Sequence, residues 1–125
     1  DHQDISIMLM PQSPAPKFTD GAFAVAPMMD YTNRFLRQLL RGISRHATLY
    51  TEMVTANTLV HCPPSELPRF LEYDAPREHP LVLQVGGADT ALLRRSAAFA
   101  QRWGYDALNL NCGCPSDRVA GSGCF

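Results

Sequence analysis

The residues best suited to chemistry lie near the end of the chain, where Asn111 precedes the sequence Cys112-Gly113-Cys114. Two thiols one residue apart are typical of metal ligation or redox chemistry, and a thiol can also hold a proton at neutral pH and release it to a reacting atom. A structural metal site normally has four ligands, but no second close pair of cysteine or histidine accompanies this one. We therefore expect no metal in this protein.

Residues of unusual type also cluster just after short apolar runs elsewhere in the sequence. They are Pro27 and Met28 after the first run, Glu52 and Met53 after the second, Gln84 at the end of the third, and residues 111–114 after the fourth. If the runs are parallel strands, all these positions lie at the carboxyl-end edge of one sheet, where barrel enzymes keep their active sites. Their co-location indicates a single site built from four strand ends.

Short apolar runs alternate with longer amphipathic stretches from residue 23 onwards. The run 23–26 lacks polar alternation and stops at Pro27, which predicts a strand buried on both faces. The remaining elements predicted in the same way are strands at 48–51, 81–85 and 107–111, and helices at 33–40, 55–60 and 89–103.

Glycine, aspartate and proline mark the boundaries of these elements. Gly42 and Gly104 are predicted helix ends, and Asp89 is a predicted N-cap. Prolines at positions 63, 64 and 68 predict a loop. The first helix is predicted to be amphipathic, with an apolar face opposite an arginine face. The apolar face consists of Phe35, Leu36, Leu39 and Leu40, and the other face carries Arg34, Arg37 and Arg41.

This alternation of strands and helices predicts an α/β fold with parallel strands and right-handed crossovers. Four such units are half of an eight-stranded TIM (β/α)8 barrel, for which about 250 residues are typical. We assign residues 21–125 to the first half of the barrel and residues 1–20 to a flexible leader. A flavodoxin-like open sheet is the alternative, but its first loop is typically Gly-rich, and here that loop is 27–30, Pro-Met-Met-Asp.

The composition of the chain limits the kinds of protein to which it can belong. The chain has 125 residues, 46% of them hydrophobic, and a net charge of -1, so any RNA-binding surface is local or lies outside this chain. No apolar run approaches the roughly 20 residues that cross a bilayer. The four cysteines do not resemble a disulfide scaffold, so we expect a cytoplasmic protein, or an organellar one in a eukaryotic host. A start at Asp1 and an end in a Gly-rich stretch suggest a fragment.

Four segments at the predicted strand ends form a recognisable set. They are 26–30 (Ala-Pro-Met-Met-Asp), 50–54 (Tyr-Thr-Glu-Met-Val), 83–87 (Leu-Gln-Val-Gly-Gly) and 109–119 (Asn-Leu-Asn-Cys-Gly-Cys-Pro-Ser-Asp-Arg-Val). In this order and spacing they closely resemble the tRNA-dihydrouridine synthases, in particular the subgroup that modifies the D-loop of tRNA. The resemblance covers about residues 22–125.

The resemblance implies an oxidoreductase in which FMN binds in a TIM barrel, followed by a helical domain that helps to hold tRNA. Reduced FMN gives a hydride to carbon 6 of a uracil, a cysteine donates a proton to carbon 5, and NADPH reduces the FMN again. The product is 5,6-dihydrouridine in the D-loop. We expect a monomer that binds tRNA and no membrane.

Individual residues take their expected roles from the matched segments. The resemblance assigns the catalytic acid to Cys114, contact with the target uridine to Asn111, and contact with FMN to Ala26, Pro27, Met28 and Gln84. A thiol with a pKa near 8.5 suits the acid role, for which a serine is far too weak. Asn109 lies two residues before Asn111 on the same strand face and is expected to supplement the uridine pocket.

Two other functions compete with this interpretation. One is another FMN barrel, such as a dihydroorotate or ene-type reductase, and the other is a truncated, non-catalytic product that binds RNA or protein. Cys124 is a rival reactive thiol. Because the family's flavin-phosphate glycines and helical domain would lie beyond Phe125, we expect the isolated chain to bind flavin poorly and not to turn over.

Overall fold

A computed structural model of the chain describes residues 23–113. Four strands alternate with helices along this segment. The strands are β1 (Ala24–Val25), β2 (Thr48–Thr55), β3 (Leu81–Gly86) and β4 (Ala107–Asn111). The helices are α1 (Arg34–Ile43), α2 (Ala56–His61), α3 (Leu67–Leu71), α4 (Ala75–Glu78) and α5 (Thr90–Arg102), with a short 3-10 turn at Pro64–Glu66.

The four strands form one parallel sheet in the order β1-β2-β3-β4, so each strand pairs with its neighbour in sequence. Each pair is joined by a helical crossover, because parallel strands cannot be connected by a tight turn. The predicted parallel α/β architecture is confirmed. The register between β2 and β3 shifts between Tyr50 and Met53, which marks a bulge in β2.

The central strand β3 is buried along its whole length. Leu81, Leu83 and Val85 lie on one face and are 0% exposed, packed in a cluster with Leu49 of β2 and Leu59 of α2. A strand that is covered on both faces has a nearly continuous apolar sequence, which explains why this strand could be predicted. The first strand differs from its prediction: Phe23 is 69% exposed and Ala26 is exposed, so this edge is not buried on both faces.

Side-chain caps define where the helices begin. Asn33 accepts from the N–H groups of Phe35 and Leu36 at the start of α1, and Asp89 caps α5 as predicted. The helix α1 continues to Ile43, so the prediction that Gly42 ends it is wrong. The segment predicted as a loop from its prolines contains α3 and α4 instead. Proline is compatible with the first turn of a helix, where its missing N–H has no partner to lose.

The amphipathic interpretation of α1 is wrong about which side chains are buried. Arg37 and Arg41 are 5% and 8% exposed, whereas Phe35 and Leu39 are 69% and 63% exposed. Arg41 donates to the backbone carbonyls of Ser44, Ala47, Glu78 and Pro80, at the amino-end edge of the sheet. Removal from water lowers the pKa of the Arg41 guanidinium, and the Glu78 carboxylate opposes that shift.

Candidate functional site

Side chains from three neighbouring strands meet on one face of the sheet near its carboxyl end. The strand pairing places Met53, Gln84 and Asn109 side by side, and Gly86 beside Asn111. Gln84 Nε2 donates to Asn109 Oδ1 over 2.7 Å, and Asn111 Nδ2 lies 3.4 Å from Met53 Sδ. These contacts join β2, β3 and β4 in one array, which we call the carboxyl-end array: Met53, Gln84, Gly86, Asn109 and Asn111.

The bulge in β2 explains how Met53 reaches this face. Tyr50 pairs with Val82, but the next register pair is Met53 with Gln84, so two residues of β2 are left over where β3 has one. Such an extra residue reverses the alternation of side chains along a strand. Met53 thereby joins the array, while Thr51 Oγ1 accepts from the N–H of Gln84 over 3.1 Å.

Gly86 leaves the space that the Met53 side chain occupies. A Cβ atom at position 86 would lie 2.7 Å from Met53 Sδ, closer than real Cβ contacts. The sulfur in turn is the partner of the Asn111 amide nitrogen. Gly86 therefore helps to position Asn111 indirectly, because it leaves room for the Met53 sulfur that Asn111 contacts.

The loop between β1 and α1 is held by two polar side chains. Thr32, which is 1% exposed, accepts from Met28 N–H and donates to Met28 O, both over 3.0 Å. Asp30 has a φ of 66°, a left-handed conformation that is uncommon for a residue other than glycine. Glu52 Oε1 accepts from the Asp30 N–H over 2.6 Å. Thr32 and Glu52 together fix the path of this loop.

The loop presents apolar side chains at the carboxyl-end edge of the sheet. Met28 and Met29 are 41% and 50% exposed, Pro27 is half-buried and Ala26 is exposed. Exposed methionines are flexible and adapt to the shape of a ligand. The predicted flavin-contacting segment is thus an accessible apolar surface with a fixed backbone.

The segment after β4 brings a turn to the same edge. Asn111 Oδ1 accepts from the Gly113 N–H over 3.1 Å, and the Cys112 thiol is exposed. Asn111 Nδ2 has two N–H groups, and one of them has no hydrogen-bond acceptor among residues 23–113. Cys114 and Cys124, the predicted acid and its rival, lie outside the described residues.

A cavity of about 480 Å³ opens beside the β1–α1 loop. Its walls include Met29, two exposed guanidinium groups and two carboxylates, those of Arg34, Arg69, Glu52 and Glu72. Arg34 Nη1 lies 3.8 Å from Glu72 Oε2, so one of the two positive charges already has a partner. This cavity is not predictable from the sequence, because Arg69 belongs to the segment predicted as a loop.

No metal centre is built from the part of the chain that the structure describes, since nowhere in residues 23–113 do three side chains of His, Cys, Asp or Glu come together as ligands. Within the same residues, none of the helices combines the length and the apolar character needed to span a bilayer.

The structure brings together Gln84, Asn109 and Asn111, which the sequence placed on one edge, and sets the 26–28 loop at that edge. Thr32 and Thr51 were missed. Both hold their partners through a hydroxyl group, and a lone threonine carries no pattern in a sequence that distinguishes it from a surface residue.

The chain is similar in sequence to known proteins of one family. The family model described as "Dihydrouridine synthase (Dus)" matches residues 24–124. Three similar curated proteins are all named tRNA-dihydrouridine(20/20a) synthase. The protein of Xanthomonas axonopodis pv. citri is 55% identical over 96 residues, that of Pseudomonas aeruginosa 53% over 105, and that of Escherichia coli K12 48% over 111.

These matches cover 77%, 84% and 86% of this chain but only 28%, 30% and 31% of the relatives. The chain therefore spans about a third of the length of the proteins that it matches. Dihydrouridine synthases are TIM barrels, and a parallel sheet in the order β1-β2-β3-β4 is what the first half of such a barrel contains. By its fold and by a match over residues 24–124, the chain belongs to the dihydrouridine synthase family.

Proposed function

We propose that the full-length protein containing this chain reduces uridine to 5,6-dihydrouridine in the D-loop of tRNA. The single observation that carries the proposal is the identity of 48–55% to proteins named tRNA-dihydrouridine(20/20a) synthase. The carboxyl-end array supports it, because it gathers amide side chains on the edge where TIM-barrel enzymes act. We assign residues 1–20 to a leader and residues 21–125 to the first half of the barrel, with the second half and a helical domain outside this chain.

The described residues suit FMN. The exposed Met28 and the small Ala26 offer an apolar surface to a flat ring, and Gln84 offers a carbonyl oxygen that no donor holds among residues 23–113. Ala26, Pro27, Met28 and Gln84 are accordingly the residues that we propose hold the ring. When bound and reduced, FMN supplies a hydride to carbon 6 of the uracil, with NADPH as the source of electrons.

Asn111 is the residue that we propose orients the uridine. Its Oδ1 atom is already used by Gly113 N–H, so the amide is left with an N–H donor for the base. A uracil edge carries two carbonyl acceptors, which match a donor. Asn111 is held on both sides, by the Gly113 turn and by Met53, and so presents this donor in a fixed direction.

Cys114 is the proposed acid. Its thiol donates a proton to carbon 5 of the uracil as the hydride arrives at carbon 6, which completes reduction of the double bond and leaves a thiolate. A thiol with a pKa near 8.5 retains its proton at neutral pH and can release it to a forming enolate, unlike a serine hydroxyl. Cys114 follows Gly113 in the sequence, and the Gly113 N–H donates to Asn111 Oδ1.

The proposal is tested on the purified full-length protein with FMN, NADPH and unmodified tRNA. We expect dihydrouridine in the D-loop, measured by mass spectrometry of nuclease fragments. A matched transcript in which cytidine replaces the D-loop uridines should gain none. If NADPH reduces the bound flavin but tRNA is never modified, the proposed substrate is wrong. If the folded protein binds no FMN, the proposed chemistry as a whole is wrong.

A further inference from the structure

Gln84 and Asn109 are neighbours across the sheet, and their side-chain amides are hydrogen-bonded to each other. The two residues pair in register between β3 and β4, and Gln84 Nε2 donates to Asn109 Oδ1 over 2.7 Å. The main chain of Gln84 is fixed independently, because its N–H donates to Thr51 Oγ1 over 3.1 Å. Both the backbone and the side chain of Gln84 are thus held by neighbouring strands.

The bond to Asn109 decides which end of the Gln84 amide remains available. A planar amide carries its N–H donors at one end and its carbonyl acceptor at the other. With Nε2 turned towards β4, the Oε1 atom is turned away from Asn109, and no donor among residues 23–113 holds it.

A ligand at this position must therefore bring a donor. Gln84 is only 7% exposed, so water has little access to its side chain, and a ligand N–H would improve on what water offers. The pyrimidine part of the oxidised FMN ring has two carbonyl acceptors and one N–H donor, at N3. An amide turned the other way would meet a carbonyl of the ring and leave the N3–H unpaired.

We propose that Asn109 is a positioning residue that turns the Gln84 amide so that Oε1 accepts a hydrogen bond from the N3–H of FMN. This inference rests on the proposed function, since it assumes that FMN binds at the carboxyl-end array. Asn109 acts through Gln84. The strands are already paired through their backbones, so the bond between the two side chains sets the direction of the amide rather than the register of the sheet.

Three single variants of the full-length protein, together with one double variant, distinguish an effect on the direction of the Gln84 amide from an effect on packing. Asn109→Leu removes the acceptor for Gln84 Nε2 at similar volume. Asn109→Asp keeps an acceptor and can only accept, so it holds the Gln84 amide in the same direction. Gln84→Leu removes the contact with the ring. Each protein is checked for folding by circular dichroism, and its dissociation constants for FMN and for 3-methyl-FMN, which lacks the N3–H, are measured by flavin fluorescence.

We expect the wild-type protein to bind FMN about tenfold more tightly than 3-methyl-FMN, the ratio that one well-made hydrogen bond gives. Asn109→Asp should keep this preference, and Asn109→Leu and Gln84→Leu should lose it. The double variant Asn109→Leu, Gln84→Leu should discriminate between the two flavins to the same extent as Gln84→Leu alone, because Asn109 has no effect without Gln84.

Several results would overturn the inference. Equal affinity of the wild type for the two flavins would exclude the N3–H contact while leaving FMN binding intact. Retention of the preference in Asn109→Leu would show that Asn109 does not orient Gln84. Loss of it in Asn109→Asp as well as in Asn109→Leu would show that an acceptor at position 109 is not what sets the direction of the Gln84 amide. A folded wild type that binds neither flavin would refute the proposed function itself, and the inference with it.

Discussion

Arg37 and Glu78 form an ion pair that is removed from water. Arg37 Nε lies 2.6 Å from Glu78 Oε2, and the two side chains are 6% and 0% exposed. Two further polar atoms of the pair also form hydrogen bonds: Arg37 Nη1 donates to Thr32 O over 2.8 Å, and Glu78 Oε1 accepts from Asp74 N–H over 2.9 Å. The pair therefore connects α1, the end of the β1–α1 loop and α4.

Loss of one partner should leave the other charge buried and unpaired. We expect Glu78→Ala to lower the free energy of unfolding of the full-length protein by about 3–5 kcal/mol. The matched control is Glu72→Ala, since Glu72 lies 3.8 Å from Arg34 and its side chain is 63% exposed. The control should change stability by less than about 1 kcal/mol. Urea denaturation followed by circular dichroism measures both, and equal effects would contradict the account.

The sequence could not have revealed this pair. Arginines at helical spacing opposite an apolar face are usually exposed, so the spacing predicts that Arg37 lies on the polar side of α1. Its partner lies 41 residues away, in a segment whose prolines predicted a loop. A long-range contact between two charged residues leaves no periodic signal, and only the packed structure shows that both are buried.

At the scale of elements, the β1–α1 loop is held by side-chain hydrogen bonds rather than by packing. Thr32 both accepts from and donates to the backbone of Met28, and Glu52 holds Asp30 in its left-handed conformation. Met28 itself is 41% exposed. The position of the proposed flavin-contacting segment therefore depends on residues that do not belong to it.

Removal of the Thr32 hydroxyl should loosen this loop. Thr32→Val keeps the shape of the side chain but loses both bonds to Met28, so we expect FMN to bind the full-length protein about tenfold more weakly, as for about 1–1.5 kcal/mol of lost hydrogen bonding. Thr32→Ser keeps the hydroxyl and should bind FMN nearly as the wild type does. Flavin fluorescence titration gives both constants. Equal affinity of the Val and Ser variants would show that the hydroxyl does not position the loop.

Elements with strong local signals were predictable, and those set by distant contacts were not. The apolar run of β3 and the Asp89 cap of α5 were predicted within one residue of their bounds. The period-two spacing also placed Asn109 and Asn111 on one face. Met53 was different, because its side of β2 depends on a bulge against β3. Helices α3 and α4 were hidden by prolines that in fact stand in their first turns.

At the scale of the whole molecule, the chain leaves large apolar side chains in water on its outer surface. They are Phe35, Leu39 and Ile43 on α1, which are 69%, 63% and 77% exposed, and Leu108 and Leu110 on β4, which are 37% and 43% exposed. In a closed barrel, neighbouring helices cover such positions. The chain spans about a third of the length of its relatives. We therefore infer that the rest of the full-length protein packs against these side chains of α1 and β4.

Polar substitution of this face should have opposite effects in two contexts. We expect the isolated chain to self-associate, and the triple variant Phe35→Ser, Leu39→Ser and Ile43→Ser to reduce that association in sedimentation experiments. In the full-length protein the same variant should lower stability, by about 2 kcal/mol for each residue that is buried there. An unchanged stability of the full-length variant would mean that nothing covers this face of α1.

We propose above that Cys114 supplies the proton when uridine is reduced. The most direct measurement compares single-turnover formation of dihydrouridine by flavin-reduced, full-length wild type, Cys114→Ala and, as matched control, Cys112→Ala. We predict that Cys114→Ala retains FMN but slows product formation at least about a hundredfold, the usual contribution of a positioned acid. Cys112→Ala should stay close to wild type. Full activity of Cys114→Ala would contradict the account and would direct attention to Cys124.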